Sequence, residues 1–166
     1  MKIYNSNSLE KTQKIAEKFA HSLKKGSIIA LYGDLGSGKT TFVQGLAKGL
    51  GIKRRIISPT FVLVRQYKIK DQKSKIKTMV RQAHHPEQSR RTDQNSKFFY
   101  HIDLYRISNE KEIEGLGIKE LMSDPQNIVA IEWAEKMGKL LPQKRIDIYF
   151  EYVDKDKRRI KIEDNF

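Results

Sequence analysis

The 166-residue sequence contains no cysteine, and its acidic residues are clearly outnumbered by its basic ones. Without cysteine the chain forms neither disulfide bonds nor thiolate metal sites, so nothing indicates an oxidising compartment. No apolar run approaches the roughly 20 residues that span a membrane, and the first residues lack the apolar stretch of a signal peptide. These absences predict a cytoplasmic protein without a membrane segment.

The excess of basic residues gives a formal net charge of +13 and raises the question of nucleic-acid binding. The charge is uneven, because the stretch 68–97 alone holds nine basic and three acidic residues. Many other lysines fall on predicted solvated helix faces. A nucleic-acid footprint and a merely lysine-rich surface both remain open interpretations.

The strongest motif in the chain lies at residues 33–40. Gly33-Asp34-Leu35-Gly36-Ser37-Gly38-Lys39-Thr40 matches the phosphate-loop pattern G-x-x-x-x-G-K-[ST] at every position. The apolar run 28–31 before it predicts a buried strand, and residues 41–50 after it predict a helix. The motif therefore lies in the strand–loop–helix context that phosphate binding requires.

The chemistry of this loop predicts a nucleotide phosphate site with Mg²⁺. Backbone N–H groups of a glycine-rich loop and the following helix N-terminus surround an anion. Lys39 is predicted to reach the β- and γ-phosphates, and the Thr40 hydroxyl to hold Mg²⁺. The residues predicted to contact the nucleotide here are Asp34, Leu35, Gly36, Ser37, Gly38, Lys39, Thr40 and Thr41.

Strand and helix patterns alternate along the rest of the chain. This order predicts an α/β fold: a single P-loop NTPase domain over residues 1–166, with a mainly parallel sheet flanked by helices. A last pair of strands, 145–152 and 158–162, predicts an antiparallel edge hairpin. The stretch 68–97 lacks periodicity and is predicted to be a flexible insertion.

Two carboxylates follow predicted strands. Glu132 comes after four aliphatic residues, whereas Asp103 follows an aromatic-rich strand interrupted by His101. On this pattern we assign Glu132 to Mg²⁺ and Asp103 to orienting or deprotonating the attacking water. The alternative is that either residue caps a strand end or forms a surface ion pair.

Two further residues have both a functional and a structural interpretation. Thr60, in the segment Ser58-Pro59-Thr60, stands where a γ-phosphate sensor can lie, or it is only a backbone cap. Trp133, the single tryptophan, either reaches the nucleotide or is a core aromatic.

The phosphate loop, Ser58-Pro59-Thr60-Phe61, His101-Ile102-Asp103-Leu104-Tyr105-Arg106 and Glu132-Trp133 occur together in one order. In this combination the chain resembles the bacterial TsaE (YjeE) family. The resemblance implies a small P-loop ATPase needed to make threonylcarbamoyladenosine at position 37 of tRNAs that read codons starting with A. It implies ATP and Mg²⁺ as cofactors, the TsaD and TsaB proteins as partners, and at most indirect or weak contact with tRNA.

By matching position, the resemblance also implies residue roles. It places Lys39 on the phosphates, Thr40 and Glu132 at Mg²⁺, and Thr60 as a switch residue. It makes Asp103 the catalytic carboxylate and puts Trp133 beside the nucleotide. Leu9 and Thr12 would lie near the adenine. The departure from the family is the insertion, where its members usually have a short turn.

Two other functions remain as alternatives. A small-molecule P-loop kinase would use the same loop and metal carboxylate, but it would need an acceptor pocket and usually a lid with arginines. A nucleotide-switched nucleic-acid-binding module would account for the positive charge. Product analysis with ATP alone distinguishes an ATPase from a kinase, and salt-dependent binding tests the third possibility.

Overall fold

The structure is a computed structural model that describes residues 1–60, 62–69 and 97–165. Its strands are β1 (Lys2–Ser6), β2 (Ile28–Tyr32), β3 (Val64–Ile69), β4 (Lys97–Asp103), β5 (Ile128–Glu132), β6 (Ile146–Asp154) and β7 (Lys157–Asp164). Its helices are α1 (Leu9–Ala20), α2 (Lys39–Gly49), α3 (Glu110–Glu114) and α4 (Ile118–Ser123), and a 3-10 helix spans Ala134–Leu140. Within these ranges, no helix has the length and apolar character needed to cross a membrane.

The seven strands form one mixed sheet in the order β1-β7-β6-β2-β5-β4-β3. The central strands β6, β2, β5 and β4 run parallel to one another. The outer pairs are antiparallel, with β7 and β1 beyond β6 and β3 beyond β4. The predicted α/β fold with a parallel centre is confirmed. β1 joins the predicted antiparallel hairpin at one edge, and β3 adds antiparallel pairing at the other.

Strand β2 is apolar throughout because helices cover both faces of the sheet. Ile29 and Leu31 pack in the core on the side of α1 and α2. Ile28 and Ala30 pack on the opposite side, with residues of α3, α4 and the 3-10 helix. Such two-sided burial is typical of parallel strands. It holds β2, the strand that leads into the phosphate loop, in position within the sheet.

The segment between α2 and β3 contains a turn, and β3 begins only at Val64. The carbonyl oxygen of Pro59 accepts hydrogen bonds from the N–H groups of Val62 and Leu63, at 2.8 and 2.6 Å. The strand begins only after this turn. The bulk of the predicted insertion, 70–96, lies outside the described residues, whereas Lys68 and Lys97 belong to β3 and β4.

The parallel pairing brings three strand ends together at one edge of the sheet. Asp103 at the end of β4 lies opposite Glu132 at the end of β5, and Leu31 of β2 lies opposite Glu132 on the other side. The phosphate loop begins directly after β2. Ligands gather at the carboxyl edge of such sheets, so this edge is the place to look for a site.

Helices α1 and α2 approach each other closely at two glycines of α2. A Cβ atom added at Gly45 would lie 2.4 Å from the carbonyl oxygen of Gln13 and 2.7 Å from Ala16 Cβ. At Gly49 it would lie 2.5 Å from the carbonyl oxygen of Glu17. Only glycine fits at these positions, and α2 is thereby held against α1 along its length.

We predict that Gly45→Ala destabilises the protein by about 1–3 kcal/mol, because the added methyl must displace backbone of α1. This loss exceeds the gain of about 1 kcal/mol that alanine brings to a helix interior. The denaturant midpoint measures it. Gly115→Ala is the matched control, because there the added Cβ meets nothing nearer than 3.9 Å and φ is −74°. Equal midpoints for the two variants would contradict the close packing.

Candidate functional site

The phosphate loop adopts a conformation that its glycines make possible. Gly33 has φ +137°, and a Cβ there would lie 2.6 Å from the carbonyl oxygen of Phe150. Gly38 has φ +105° and is the N-terminal cap of α2. Helix α2 therefore starts at Lys39, and its first N–H groups and the positive end of its dipole face the loop.

The Lys39 side chain is folded into this loop and is 4% exposed. Its Nζ donates to the carbonyl oxygens of Gly33 at 2.6 Å and Asp34 at 2.9 Å, and lies 4.0 Å from the centroid of the Trp133 ring. Burial lowers the pKa of the Lys39 ammonium, and nearby carboxylates, Glu132 first among them, oppose this shift. The cation thus lies inside the loop that the sequence predicts to bind phosphate.

Glu132 connects the helix that follows the loop with strand β4. Its Oε2 accepts a hydrogen bond from the Thr40 hydroxyl at 2.8 Å, and its Oε1 lies 2.7 Å from His101 Nε2. Glu132 is 2% exposed and His101 is fully buried. In the sequence, His101 stood out only as an interruption of a predicted strand. In the fold, His101 lies on β4 within hydrogen-bonding distance of the Glu132 carboxylate.

Asp103 is held by the segment that precedes β3. Its Oδ2 lies 2.8 Å from the Ser58 hydroxyl and 2.5 Å from the Thr60 hydroxyl, which are themselves 2.6 Å apart. Its Oδ1 accepts from the Tyr105 N–H at 3.0 Å. Two hydroxyl protons serve three close oxygen pairs, so only two of these pairs are hydrogen bonded at once. Asp103 is therefore oriented by contacts that can rearrange.

These oxygens fit the requirements of Mg²⁺. Within the described ranges, no group of three or more His, Asp or Glu side chains is placed to hold a metal by itself. Mg²⁺ does not require such a group, because it binds hard oxygens and usually takes only one or two protein ligands beside phosphate and water. The Thr40 hydroxyl and the Glu132 carboxylate, adjacent at the edge of the loop, supply such a pair.

Trp133 turns away from the regular strand directly after Glu132. It has φ 59° and ψ 44°, a left-handed conformation that is uncommon for a large side chain. Its ring contacts the Lys39 ammonium and lies 5.2 Å from the ring of Tyr105. The ring lines the cleft and also packs against the core cluster on the side of α3 and α4.

A cleft of about 330 Å³ joins these groups. Most of the residues predicted from the sequence line it, namely Leu9, Thr12, Leu35, Gly36, Gly38, Lys39, Thr40, Thr41, Thr60, Asp103, Glu132 and Trp133. The side chains of Asp34 and Ser37 do not line it, and Ser37 is buried with its hydroxyl unpartnered. Those two positions contribute to the loop through their backbone.

Several residues of the cleft were not assigned a role from the sequence. Ser58 was visible as part of Ser58-Pro59-Thr60, but its contact with Asp103 depends on the fold. Tyr105, Asp156 and Arg158 also line the cleft. No local pattern distinguishes the last two from other charged residues of a surface turn.

The sequence matches the family described as "Threonylcarbamoyl adenosine biosynthesis protein TsaE" over residues 6–85 and 78–160. Similar curated proteins carry the name tRNA threonylcarbamoyladenosine biosynthesis protein TsaE. That of Bacillus subtilis is 34% identical, covering 91% of this chain and 78% of the relative. That of Rickettsia prowazekii is 34% identical, covering 99% of this chain and 96% of the relative.

A solved structure is similar along the whole chain. The crystal structure of YdiB from Bacillus subtilis is 27% identical in sequence and has a TM-score of 0.70. The match covers 99% of this chain and 86% of that one.

The contact between Lys39 and Trp133 generates a spectroscopic prediction. We expect the intrinsic fluorescence of Trp133 to change when ATP or ADP with Mg²⁺ is added, because a phosphate that attracts the Lys39 ammonium alters the surroundings of the indole. Trp133 is the only tryptophan, so the signal has one source. A flat titration in a sample that binds nucleotide by equilibrium dialysis would contradict the prediction.

Proposed function

Because the chain belongs to the TsaE family of threonylcarbamoyl adenosine biosynthesis proteins, we propose that it is a Mg²⁺-dependent ATPase supporting this tRNA modification. One observation carries the proposal: a phosphate loop with a buried lysine shares a cleft with two carboxylates at neighbouring strand ends. This arrangement suits phosphoryl chemistry at the end of a bound triphosphate.

In the proposed binding mode, the N–H groups of the loop and of the first turn of α2 bind the phosphates. Lys39 exchanges its two carbonyl partners, Gly33 and Asp34, for β- and γ-phosphate oxygens. This exchange is favourable because a charge-assisted hydrogen bond to phosphate is stronger than one to a neutral carbonyl.

Thr40 and Glu132 are the residues that would hold Mg²⁺. His101 orients the Glu132 carboxylate through Oε1, the oxygen that Thr40 does not contact. When bound, Mg²⁺ would neutralise negative charge on the phosphates and stabilise the charge that develops on the departing ADP. A ligand oriented by a second hydrogen-bonded partner keeps its geometry before the cation arrives.

Asp103 is the residue proposed to orient or deprotonate the attacking water. Its hydrogen bonds with Ser58, Thr60 and the Tyr105 N–H fix the direction of the carboxylate. Thr60 is proposed to act as the switch, leaving Asp103 when a γ-phosphate or its cation offers its hydroxyl another partner. Hydrolysis then frees Thr60 to return.

The proposed partners are the TsaD and TsaB proteins, and the proposed location is the cytoplasm. Family membership supports the partnership, because the shared process is a tRNA modification. Co-purification of the chain with these two proteins, with and without ATP, tests it.

A small-molecule kinase remains the second candidate for the same cleft. The two candidates differ in their products, because an ATPase releases inorganic phosphate from ATP without any acceptor. Phosphate release in a mixture of protein, ATP and Mg²⁺ alone therefore favours the ATPase, whereas its absence would favour the kinase.

We predict that Lys39→Ala lowers ATP hydrolysis at least about tenfold, since the cleft loses the cation that contacts the phosphates. Release of inorganic phosphate measures the effect. Lys48→Ala is the control from the same helix, because Lys48 is exposed and forms an ion pair with Glu17 at 2.9 Å. Undiminished hydrolysis by Lys39→Ala would overturn the proposed function.

We predict that Glu132→Gln loses Mg²⁺-dependent turnover at least about tenfold but retains nucleotide binding through the loop N–H groups. Nucleotide affinity is measured in Mg²⁺ and in EDTA. Glu132→Gln should lose the increase in nucleotide affinity that Mg²⁺ gives. Glu135→Gln, at an exposed position, is the control and should keep this increase. If affinity in EDTA fell as far as turnover, Glu132 would be a structural cap instead of a metal ligand.

A further inference from the structure

The two helix layers that cover the sheet differ strongly in charge. The layer of α1 and α2, which comprises residues 9–25 and 39–57, holds ten basic and two acidic residues. The opposite layer, residues 104–127 and 133–145, holds seven basic and six acidic residues. Of the ten basic side chains in the first layer, only Lys39 is buried. Between these two layers, the excess positive charge therefore lies almost entirely on one face of the molecule.

The segment that follows α2 belongs to the same layer as α1 and α2. Ile52 and Ile56 pack in the core beneath these helices. Gln44 Nε2 on α2 donates to the carbonyl oxygen of Ile56 at 3.3 Å, and Gln13 Nε2 on α1 donates to Gln44 Oε1 at 3.0 Å. These hydrogen bonds link the three parts of the layer, so the cations of residues 53–55 and those of α1 belong to one continuous surface.

Three lysines of α1 lie on the side of the helix that faces away from α2. Gln13 and Ala16 lie at the close approach to Gly45 of α2. The lysines follow one another at helical spacings of three and four residues, so they share the opposite side, and all three are exposed. Together with the three exposed cations that follow α2, they form what we call the basic surface: Lys11, Lys14, Lys18, Lys53, Arg54 and Arg55.

Across residues 1–60, 62–69 and 97–165, no cation of the basic surface forms an ion pair with a carboxylate. Glu17, one of the two acidic residues of this layer, pairs with Lys48 at 2.9 Å. Six clustered cations without such partners suit a polyanion from outside the chain.

The side chains around these cations favour RNA over a lipid membrane. Membrane-binding surfaces combine cations with apolar side chains that enter the lipid. In residues 9–25 and 39–57, the large apolar side chains that are exposed are Leu9 and Ile57, at the ends of these ranges. Contact with a phosphate backbone needs no apolar side chain, because its free energy comes from the release of counterions. The curated relatives are named for a tRNA modification, so the process of the family involves an RNA.

We propose that the basic surface binds the phosphate backbone of RNA and holds a tRNA against the protein while the cleft acts on ATP. The proposal rests on the proposed function for the choice of tRNA as the RNA. Binding through phosphates is independent of base sequence and weakens steeply with salt. It uses a surface that contains none of the residues assigned to the nucleotide or to Mg²⁺.

The test measures the binding of a tRNA transcript on filters from about 0.05 to about 0.3 M KCl. The test variant replaces three lysines of the basic surface together: Lys14→Gln, Lys18→Gln and Lys53→Gln. The matched control replaces three exposed lysines of the opposite layer: Lys111→Gln, Lys119→Gln and Lys139→Gln. The test variant should bind at least about tenfold more weakly at low salt, and its slope of log K against log salt concentration should be less steep by about two to three. The control should keep the wild-type slope.

The other outcomes overturn the proposal in distinct ways. Equal losses in both variants would show that only the net charge matters, and wild-type binding by the test variant would show that the RNA lies elsewhere. Tighter binding to phosphatidylglycerol vesicles than to tRNA would assign the basic surface to a membrane. If the triple variant does not fold by circular dichroism, Lys14→Gln against Lys111→Gln repeats the comparison, with an expected slope change of about one.

ATP hydrolysis by the same samples separates this proposal from the proposed function. Both triple variants should hydrolyse ATP like the wild type, because neither changes a residue of the cleft. A wild-type protein that hydrolyses ATP but does not bind tRNA would overturn only the RNA proposal. One that binds tRNA but does not hydrolyse ATP would overturn only the proposed ATPase function.

Discussion

The hydrogen bond from the Thr40 hydroxyl to Glu132 joins the first turn of helix α2 to the end of strand β5, and the cleft depends on this junction. It forms because β2 and β5 are parallel neighbours with Leu31 opposite Glu132, so helix α2 starts beside the end of β5. A shift of one residue in this register would turn Glu132 to the other face of the sheet. The apolar residues of both strands, packed between two layers of helices, fix the register and thereby the oxygens that suit a cation.

Burial of the polar groups around this contact makes their partners essential. A buried carboxylate costs several kcal/mol unless charges or hydrogen bonds compensate it, and Glu132 has a hydroxyl on one oxygen and an imidazole on the other. Asp103 is compensated in the same way by two hydroxyls and a backbone N–H. The network orients both carboxylates before any ligand binds, although the hydroxyl contacts of Asp103 can rearrange.

The loop itself is in a closed arrangement, with the Lys39 ammonium held by two loop carbonyls and the Trp133 ring. An anion that binds the Lys39 ammonium would have to replace these contacts, which favours an anion of high charge density. Trp133 keeps a left-handed backbone at the strand end, at a cost of order 1 kcal/mol or more. Ala134 and Met137, fully buried in the helix that follows, hold the chain in this turn.

The sequence by itself determined the phosphate loop, because its glycines and the flanking strand and helix are a local pattern that encodes local backbone geometry. It also indicated Asp103 and Glu132, since each follows an apolar strand, and the structure places them side by side. Only the tertiary structure decided that Ser58 meets Asp103 across 45 positions and that Arg158 reaches Gly36. Local patterns specify which residues are extended or buried, but not which strands become neighbours, because strand order depends on the packing of the whole chain.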